Sequence, residues 1–187
     1  MKLTDFQVDV AWEDELAPDD HFDIASLLSH AFPAAAARFG STRSWAGARP
    51  EIRVLVRDQG LVVAHAAVLR RFVGIGTVEQ LVGDVGLVAV QTHLRDQGLG
   101  RTVMERIGEV VRDIGAPFAL ANVGRARLNS SIITGWQHLR GVKTSYLTNG
   151  QPLYASRRDY PVVILPTSDP AVQWPAGDLL RIHGFEL

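Results

Sequence analysis

Residues able to do chemistry gather where an apolar run gives way to a glycine-containing turn, Val88-Ala89-Val90-Gln91-Thr92-His93-Leu94-Arg95-Asp96-Gln97-Gly98-Leu99-Gly100-Arg101. A strand that turns in this way into a helix offers several backbone N–H groups to one concavity, where the helix macrodipole favours negative charge. Gly98 and Gly100 allow close approach of the backbone, Asp96, Gln97 and Leu99 complete the turn, and Arg95 and Arg101 add positive charge. Such a turn is either a cradle for phosphate or an ordinary strand-to-helix connection, which also favours glycine. A dinucleotide-binding turn needs a third glycine where Val103 stands, and a Walker loop needs Gly-Lys-Ser/Thr where the chain has Gly100-Arg101-Thr102. Both are excluded.

Asp84 stands in a run that is otherwise Val, Gly, Leu and Ala. Aspartate is disfavoured in strands and costly to bury, so it needs a partner or a purpose. It is either a proton acceptor or a structural carboxylate held by Arg70, Arg71 or backbone. Glu79, near the start of that strand, is a weaker candidate. His65, in the apolar run Ala64-His65-Ala66-Ala67-Val68, is read as a hydrogen-bonded core residue or as a group that positions a substrate. Trp45 serves either as core or as a stacking platform, flanked by Arg43, Arg49 and Glu51. Trp136 is assigned to the core and Arg70-Arg71 to a solvated strand edge.

The elements that must position these groups follow from periodicity. Phe6 to Trp12 alternates as a strand. Asp19 and Asp20 are capping candidates for a helix whose stripe is Ile24, Leu27, Leu28 and Ala31, ended by Pro33. Pro33 to Pro50 is irregular, a loop or a second short helix. Three antiparallel strands follow in residues 51–90, with turns at Asp58-Gln59-Gly60 and Gly74-Ile75-Gly76. A helix from about Gly100 to Ile114 shows Val103, Ile107, Val110 and Ile114 on one face and ends at Gly115. Phe118 to Asn122 reads as a buried strand. A further helix is expected over Arg125 to Leu139, then strands at Thr144 to Leu147, Tyr160 to Leu165 and Leu179 to Ile182.

A chain of 187 residues, 47 % hydrophobic, is expected to form one domain over residues 1–187. The formal net charge of −1, with the charges interleaved, argues against a nucleic-acid partner. No apolar run approaches the roughly 20 residues of a membrane span, and no signal peptide is evident, so a soluble, cytoplasmic protein is expected. With no cysteine, disulfides, thiolate nucleophiles and Cys-ligated metals are excluded. The scattered His residues show no metal-ligand spacing, and no metal requirement is expected.

The loop resembles the GNAT (GCN5-related N-acetyltransferase) signature R/Q-x-x-G-x-G/A, and the element order resembles that of the GNAT fold, an α/β (α+β) architecture with a central mixed, mostly antiparallel sheet flanked by helices. That resemblance implies an acyl-thioester donor, acyl-CoA or the phosphopantetheine of an acyl carrier protein, held by Val88, Val90, Arg95, Asp96, Gln97, Gly98, Leu99, Gly100 and Arg101. It also implies that backbone N–H groups of residues 86–90 polarise the thioester carbonyl. Asp84 falls where several such enzymes carry the general base that deprotonates an amine. The thiolate-protonating Tyr of many of them has no counterpart between Arg125 and Gly141.

The blocks Ser44-Trp45-Ala46-Gly47-Ala48-Arg49-Pro50-Glu51-Ile52-Arg53, Ala64-His65, Leu69-Arg70-Arg71-Phe72, Trp174-Pro175-Ala176-Gly177 and Glu186-Leu187 resemble the rhizobial NodA nodulation proteins. NodA proteins move a fatty acyl chain from acyl carrier protein to the free amine of a de-N-acetylated chitooligosaccharide. The resemblance therefore implies an amino-sugar acceptor, with Arg43, Trp45, Arg49, Glu51 and His65 as its binding residues. The loop at Arg95 to Gly100 stands closer to the general GNAT signature, which leaves coenzyme A and carrier protein both open as donors. Ala64-His65 and Trp174-Pro175-Ala176-Gly177-Asp178 also resemble aminoglycoside 2'-N-acetyltransferases, the alternative enzyme reading. A non-catalytic module that binds an acyl thioester or carrier protein is the alternative outside catalysis.

Overall fold

The segment QVDVAW forms β1 (Gln7–Trp12), which pairs antiparallel with β2 (Ile52–Asp58), Trp12 lying opposite Ile52. The computed structural model describes residues 6–124, 135–148, 151–157, 160–168 and 172–187. Two compact units emerge: Met1–Leu69 with Leu87–Ile107 and Leu187, and Arg70–Gly86 with Gly108–Glu186. The long strands β3 (Leu61–Ile75) and β4 (Val78–Val90) and the helix α2 (Leu99–Asp113) contribute residues to both.

In the first unit β2 pairs antiparallel with β3, and the N–H of Gln91, just past β4, bonds the Val63 carbonyl of β3 at 2.9 Å. The helix α1 (Pro18–Ala31) starts with Pro18, whose missing N–H costs nothing in the first turn. Ala17 is the cap residue, and the Asp20 carboxylate accepts its N–H at 3.0 Å. The two aspartates thus occupy the first turn, where they complement the helix dipole, instead of the cap itself. Ile24, Leu27 and Leu28 are buried against Leu55, Ala67, Leu87 and Ala89. Burial on this scale is worth about 1.5–3 kcal/mol per large side chain. The helix ends as Phe32 leaves helical geometry before Pro33, and a 3-10 turn spans Pro33–Arg38.

In the second unit the strands run in the order β6, β9, β5, β4, β3, β10, β7, β8. Here β5 is Phe118–Asn122, β6 Gln137–Leu139, β7 Lys143–Thr148, β8 Gln151–Arg157, β9 Val162–Pro166 and β10 Leu179–Ile182. Only β4 with β5 and β7 with β10 are parallel among the described pairs, so the sheet is mixed and mostly antiparallel. The apolar residues Val73, Ile75, Val82, Phe118, Leu120, Ile164, Leu180 and Ile182 form its core. Gly115, at φ +72°, turns the chain out of α2 towards β5.

One expectation fails. Residues 125–134 lie outside the described residues, with Leu128 and Ile132 among them, but Gln137–Leu139 is a strand paired to β9 through Val162, Val163 and Ile164, not the end of a helix. Three residues carry too little periodicity to declare a state, and the hydrogen bonds offered by β9 decide it. Among the described residues no helix is long and apolar enough to cross a membrane.

The ladder between β4 and β5 covers Gly83, Asp84 and Val85, and Gly83 is there for space: a Cβ on it would lie 2.6 Å from Cγ2 of the fully buried Val111 on α2. Gly83→Ala is expected to lower stability by about 1–3 kcal/mol, the usual cost of overpacking. Urea denaturation is the measure. Adding Val111→Ala should return part of that loss, and a double variant no better than the sum of the singles would refute the contact.

Candidate active site

The polar centre of the first unit is Arg53, whose side chain is 0 % exposed in the apolar strand β2. Register explains its company. Trp12 opposite Ile52 brings Glu13 opposite Glu51, and the Glu13 N–H bonds the Glu51 carbonyl at 2.9 Å, so Arg53 lies diagonally two residues from Glu13. Across β3 it faces Ala67 and is again two residues from His65, which faces Leu55. Diagonal neighbours on one face of a sheet are within reach of long side chains.

All five N–H donors of the guanidinium are used. Nε gives its proton to Glu13 Oε2 at 2.6 Å, and Nη2 donates to Glu13 Oε1 at 3.1 Å and Ser44 Oγ at 3.0 Å. Nη1 donates to the Ser44 carbonyl and to His65 Nε2, each at 3.1 Å. Glu13 Oε1 also accepts from Arg49 Nε at 3.0 Å, and Ser44 Oγ lies 2.9 Å from His21 Nδ1. Burial alone would raise the Glu13 carboxyl, but the hydrogen bonds and charges of Arg53 and Arg49 outweigh it, and its pKa lies below the ordinary value.

His65 is held in one protonation state by its partners. An arginine can only donate, so Nε2 is the acceptor; a carbonyl can only accept, so Nδ1 carries the proton in its 2.8 Å bond to the Leu87 carbonyl. The ring is neutral, its pKa pushed down to about 3 by burial and then by the charge of Arg53. Leu87 is a buried non-glycine residue at φ +53°, an irregularity in β4 two residues before Ala89. Beyond it Val88 and Val90 are half-buried on one side of the strand while Ala89 is buried on the other.

After β4 the chain makes a 3-10 turn at Thr92–Leu94, and Arg95 Nε reaches back to the Val90 carbonyl at 3.4 Å. Asp96 at φ +61° and Gly98 at φ +89° bend the backbone, and Gln97 is tied to the His93 carbonyl at 3.1 Å. The first α2 bond shown here is Thr102 N–H to the Gly98 carbonyl at 3.1 Å, so the N–H groups of the first turn face the loop without intrahelical partners. Leu99 is buried and anchors the turn, whereas Arg95, Asp96, Gln97 and Arg101 are exposed. Beside this loop a cavity of about 420 Å³ lies between α1 and the strand ends, with Leu27, Val62 and Val90 in its wall and His30, His93 and Arg95 at its mouth.

Arg43, Trp45 and Arg49 come together as the sequence implies. The guanidinium carbon of Arg49 lies 4.9 Å from the Trp45 ring centroid and that of Arg43 5.9 Å, both within cation–π range. His21 meets the same ring edge-on at 6.2 Å. Glu51 is half-buried, its N–H bonded to the Val68 carbonyl and its own carbonyl to the Glu13 N–H. His65 has no exposed surface and reaches the Trp45 cluster only through Arg53 and Ser44.

Asp84 belongs to the second unit. It is 4 % exposed, and its Oδ2 lies 3.2 Å from Arg71 Nη2 without the alignment of a hydrogen bond. Arg71 Nη1 donates to the Phe185 carbonyl at 2.8 Å. Burial raises the Asp84 pKa, and the charge of Arg71 offsets part of that rise.

Glu13 and Arg53 were not singled out from sequence for this role. The usable signal was the one that flagged Asp84: a charged residue inside an apolar strand, Ile52-Arg53-Val54-Leu55-Val56.

The strand order of the second unit is that of the GNAT acyltransferase fold. The fold matches the GNAT family N-acetyltransferase YhbS from Escherichia coli, solved in complex with CoA, at a TM-score of 0.66 and 18 % identity over 95 % of this chain and 89 % of that one. It also matches a GNAT family acetyltransferase from Brucella melitensis, solved with acetyl-CoA, at 0.58 and 17 % over 95 % and 96 %. The family model for Nodulation protein A (NodA) matches residues 3–187, and the chain belongs to that family. It is 32 % identical to Nodulation protein A of Rhizobium leguminosarum bv. viciae and 33 % identical to that of Rhizobium meliloti (strain 1021), each over 95 % of this chain and 96 % of the relative.

Arg53→Met leaves Glu13 buried without its main partner and is expected to cost about 3–5 kcal/mol in chemical denaturation. A loss below about 1 kcal/mol would show that the pair does not hold the unit together.

The pH dependence of stability follows from the same geometry. His65 has a folded pKa near 3 and an ordinary unfolded one of 6.5, so as pH falls the unfolded chain takes up a proton that the folded chain refuses. Its share of stability is intact above pH 6.5 and declines towards pH 3 by about 1.4 kcal/mol per pH unit. His21, also lowered, acts in the same direction. His65→Asn should flatten the slope of unfolding free energy between about pH 6 and 4 by roughly one proton; equal slopes would mean that His65 is charged in the folded protein.

Proposed function

We propose that the chain transfers an acyl group from a phosphopantetheine thioester to the primary amine of an amino sugar. The observation that carries this reading is the continuous run from the β4 irregularity at Leu87 through the turn at Asp96 and Gly98 to the start of α2. Such a run supplies N–H donors for phosphate at the helix start and for a thioester carbonyl along β4. The family's proteins and the CoA complexes of the same fold support a thioester donor. The exposed guanidinia of Arg43 and Arg49 around Trp45 support a hydroxyl-rich acceptor.

Asp84 is assigned as general base. Its raised pKa brings a carboxylate closer to the strength needed to take a proton from an ammonium, directly or through water. In this reading Val88 N–H and Val90 N–H align the donor and polarise its carbonyl, and Gly98, Leu99, Gly100 and Arg101 hold the phosphate with Arg95, Asp96 and Gln97 shaping the turn. Once Asp84 has taken one proton from the ammonium, the neutral amine attacks the carbonyl carbon, the C–S bond breaks, the nitrogen gives its second surplus proton to solvent, and the thiol leaves with a proton supplied by solvent.

Thiol release is measured with acetyl-CoA, palmitoyl-CoA and palmitoyl–acyl carrier protein, each with glucosamine and with a chitooligosaccharide bearing one free amine. Wild type should consume at least one donor only when amine is present. Asp84→Asn should lower kcat by about 10²-fold or more and remove the rise of rate with pH; Gly98→Trp should act on donor KM. Release of no thiol with any pair would end the enzyme reading for these substrates. Mass spectrometry of products from mixed donors distinguishes acetyl from long-chain transfer and carrier protein from coenzyme A.

A further inference from the structure

The proposed reaction needs backbone N–H groups of β4 to be aimed, and β4 does not achieve this as a regular strand. Leu87, a buried leucine in the left-handed region, breaks the strand just before the donor-facing stretch. A non-glycine residue there is strained and persists only when its surroundings over-determine it.

His65 grips that residue, its Nδ1–H donating to the Leu87 carbonyl at 2.8 Å. The Leu87 carbonyl and the Val88 N–H belong to one planar trans peptide and point in opposite directions. Fixing the carbonyl against His65 therefore fixes the Val88 N–H outward from it. The ladder agrees, since the Gln91 N–H bonds Val63 on β3, and alternation turns the N–H groups of Val90 and Val88 to the other edge of β4.

We infer that His65 is a positioning residue which, from the core, aims the Val88 N–H at the thioester carbonyl and ties that aim through Arg53 and the Ser44 carbonyl and hydroxyl to the Trp45 segment. The inference rests on the proposed acyl transfer for its kinetic consequence and on the Leu87 geometry for its structural one. His65 touches no substrate; it acts through Leu87.

Two near-isosteric variants separate its two bonds. Asn places its amide nitrogen near the Nδ1 position and can still donate to Leu87, while losing Arg53. Gln places its amide near the Nε2 position and can still accept from Arg53, while leaving the Leu87 carbonyl unheld. Each loses one hydrogen bond, and a role confined to stability predicts the greater loss in H65N, which leaves a guanidinium N–H of Arg53 without its acceptor.

Crystal structures of H65N and H65Q are the first measurement. Leu87 should stay near φ +53° in H65N and leave the left-handed region in H65Q. Retention of positive φ at Leu87 in H65Q would overturn the inference, whatever the activity. Thiol release from acetyl-CoA and from palmitoyl–acyl carrier protein, with glucosamine as amine, is the second. kcat should be about 10²-fold lower in H65Q than in H65N, with donor KM changed only a few-fold, as befits an oxyanion donor lost in the transition state. Equal kcat values, or a change confined to KM, would refute the assignment. Should wild type release no thiol from either donor, the acyl-transfer reading falls, and the Leu87 conformation still decides whether His65 holds the strand.

Discussion

The first unit depends on a single buried cation. Arg53 has no exposed surface, and a charge so placed is tolerable only with every donor satisfied. The Glu13 carboxylate, the Ser44 hydroxyl and carbonyl, and the His65 ring meet that demand together. The constraint reaches three strands and a loop at once: β1 must deliver Glu13 just past its last residue, β3 must put His65 two residues from the facing Ala67, and the segment after the 3-10 turn must return Ser44 to Arg53. Moving any of these by one residue would leave a guanidinium proton bare.

Because the same groups lead outward, the network also organises what surrounds it. Glu13 draws in Arg49, which lies over Trp45; Ser44 touches His21, whose ring meets the other side of the cluster. His65 leads instead to Leu87 and the end of β4. The residues proposed for the acceptor and the strand proposed for the donor thus share one rigid polar core. The proposed base, Asp84, stands on a different footing, with Arg71 near but misaligned and an oxygen of its own left unmet.

The sequence shows clearly whatever is local. β5 and β10 fall on the residues expected, because each is a short apolar run between turn signals. The bounds of α2 fall within one residue of expectation, since Gly98 and Gly115 punctuate it. The turn between β4 and α2 was legible for the same reason: its glycines are adjacent to the strand and helix that it joins. α1 was found, but with Asp19 and Asp20 two and three residues past the cap, where Pro18 had already fixed the start. Glu13 and Arg53 were not legible as a pair. Forty residues separate them, and their meeting depends on a register that no local pattern encodes. Leu87 was hidden too, for nothing in its side chain announces a left-handed backbone.

The fixed tautomer of His65 makes the polar core directional. Every bond in the series runs the same way: Arg53 donates to His65, His65 donates to the Leu87 carbonyl, and the peptide that accepts there presents its own N–H at Val88. Bonds in such a series polarise one another, by about 10–30 % per bond in a low-dielectric interior. The charge of a buried arginine is thereby relayed as partial positive charge to an amide proton on a strand it never touches, with no proton moving and no side chain exposed. The core of this unit is in that sense an electrical lead, and its far end is a peptide N–H.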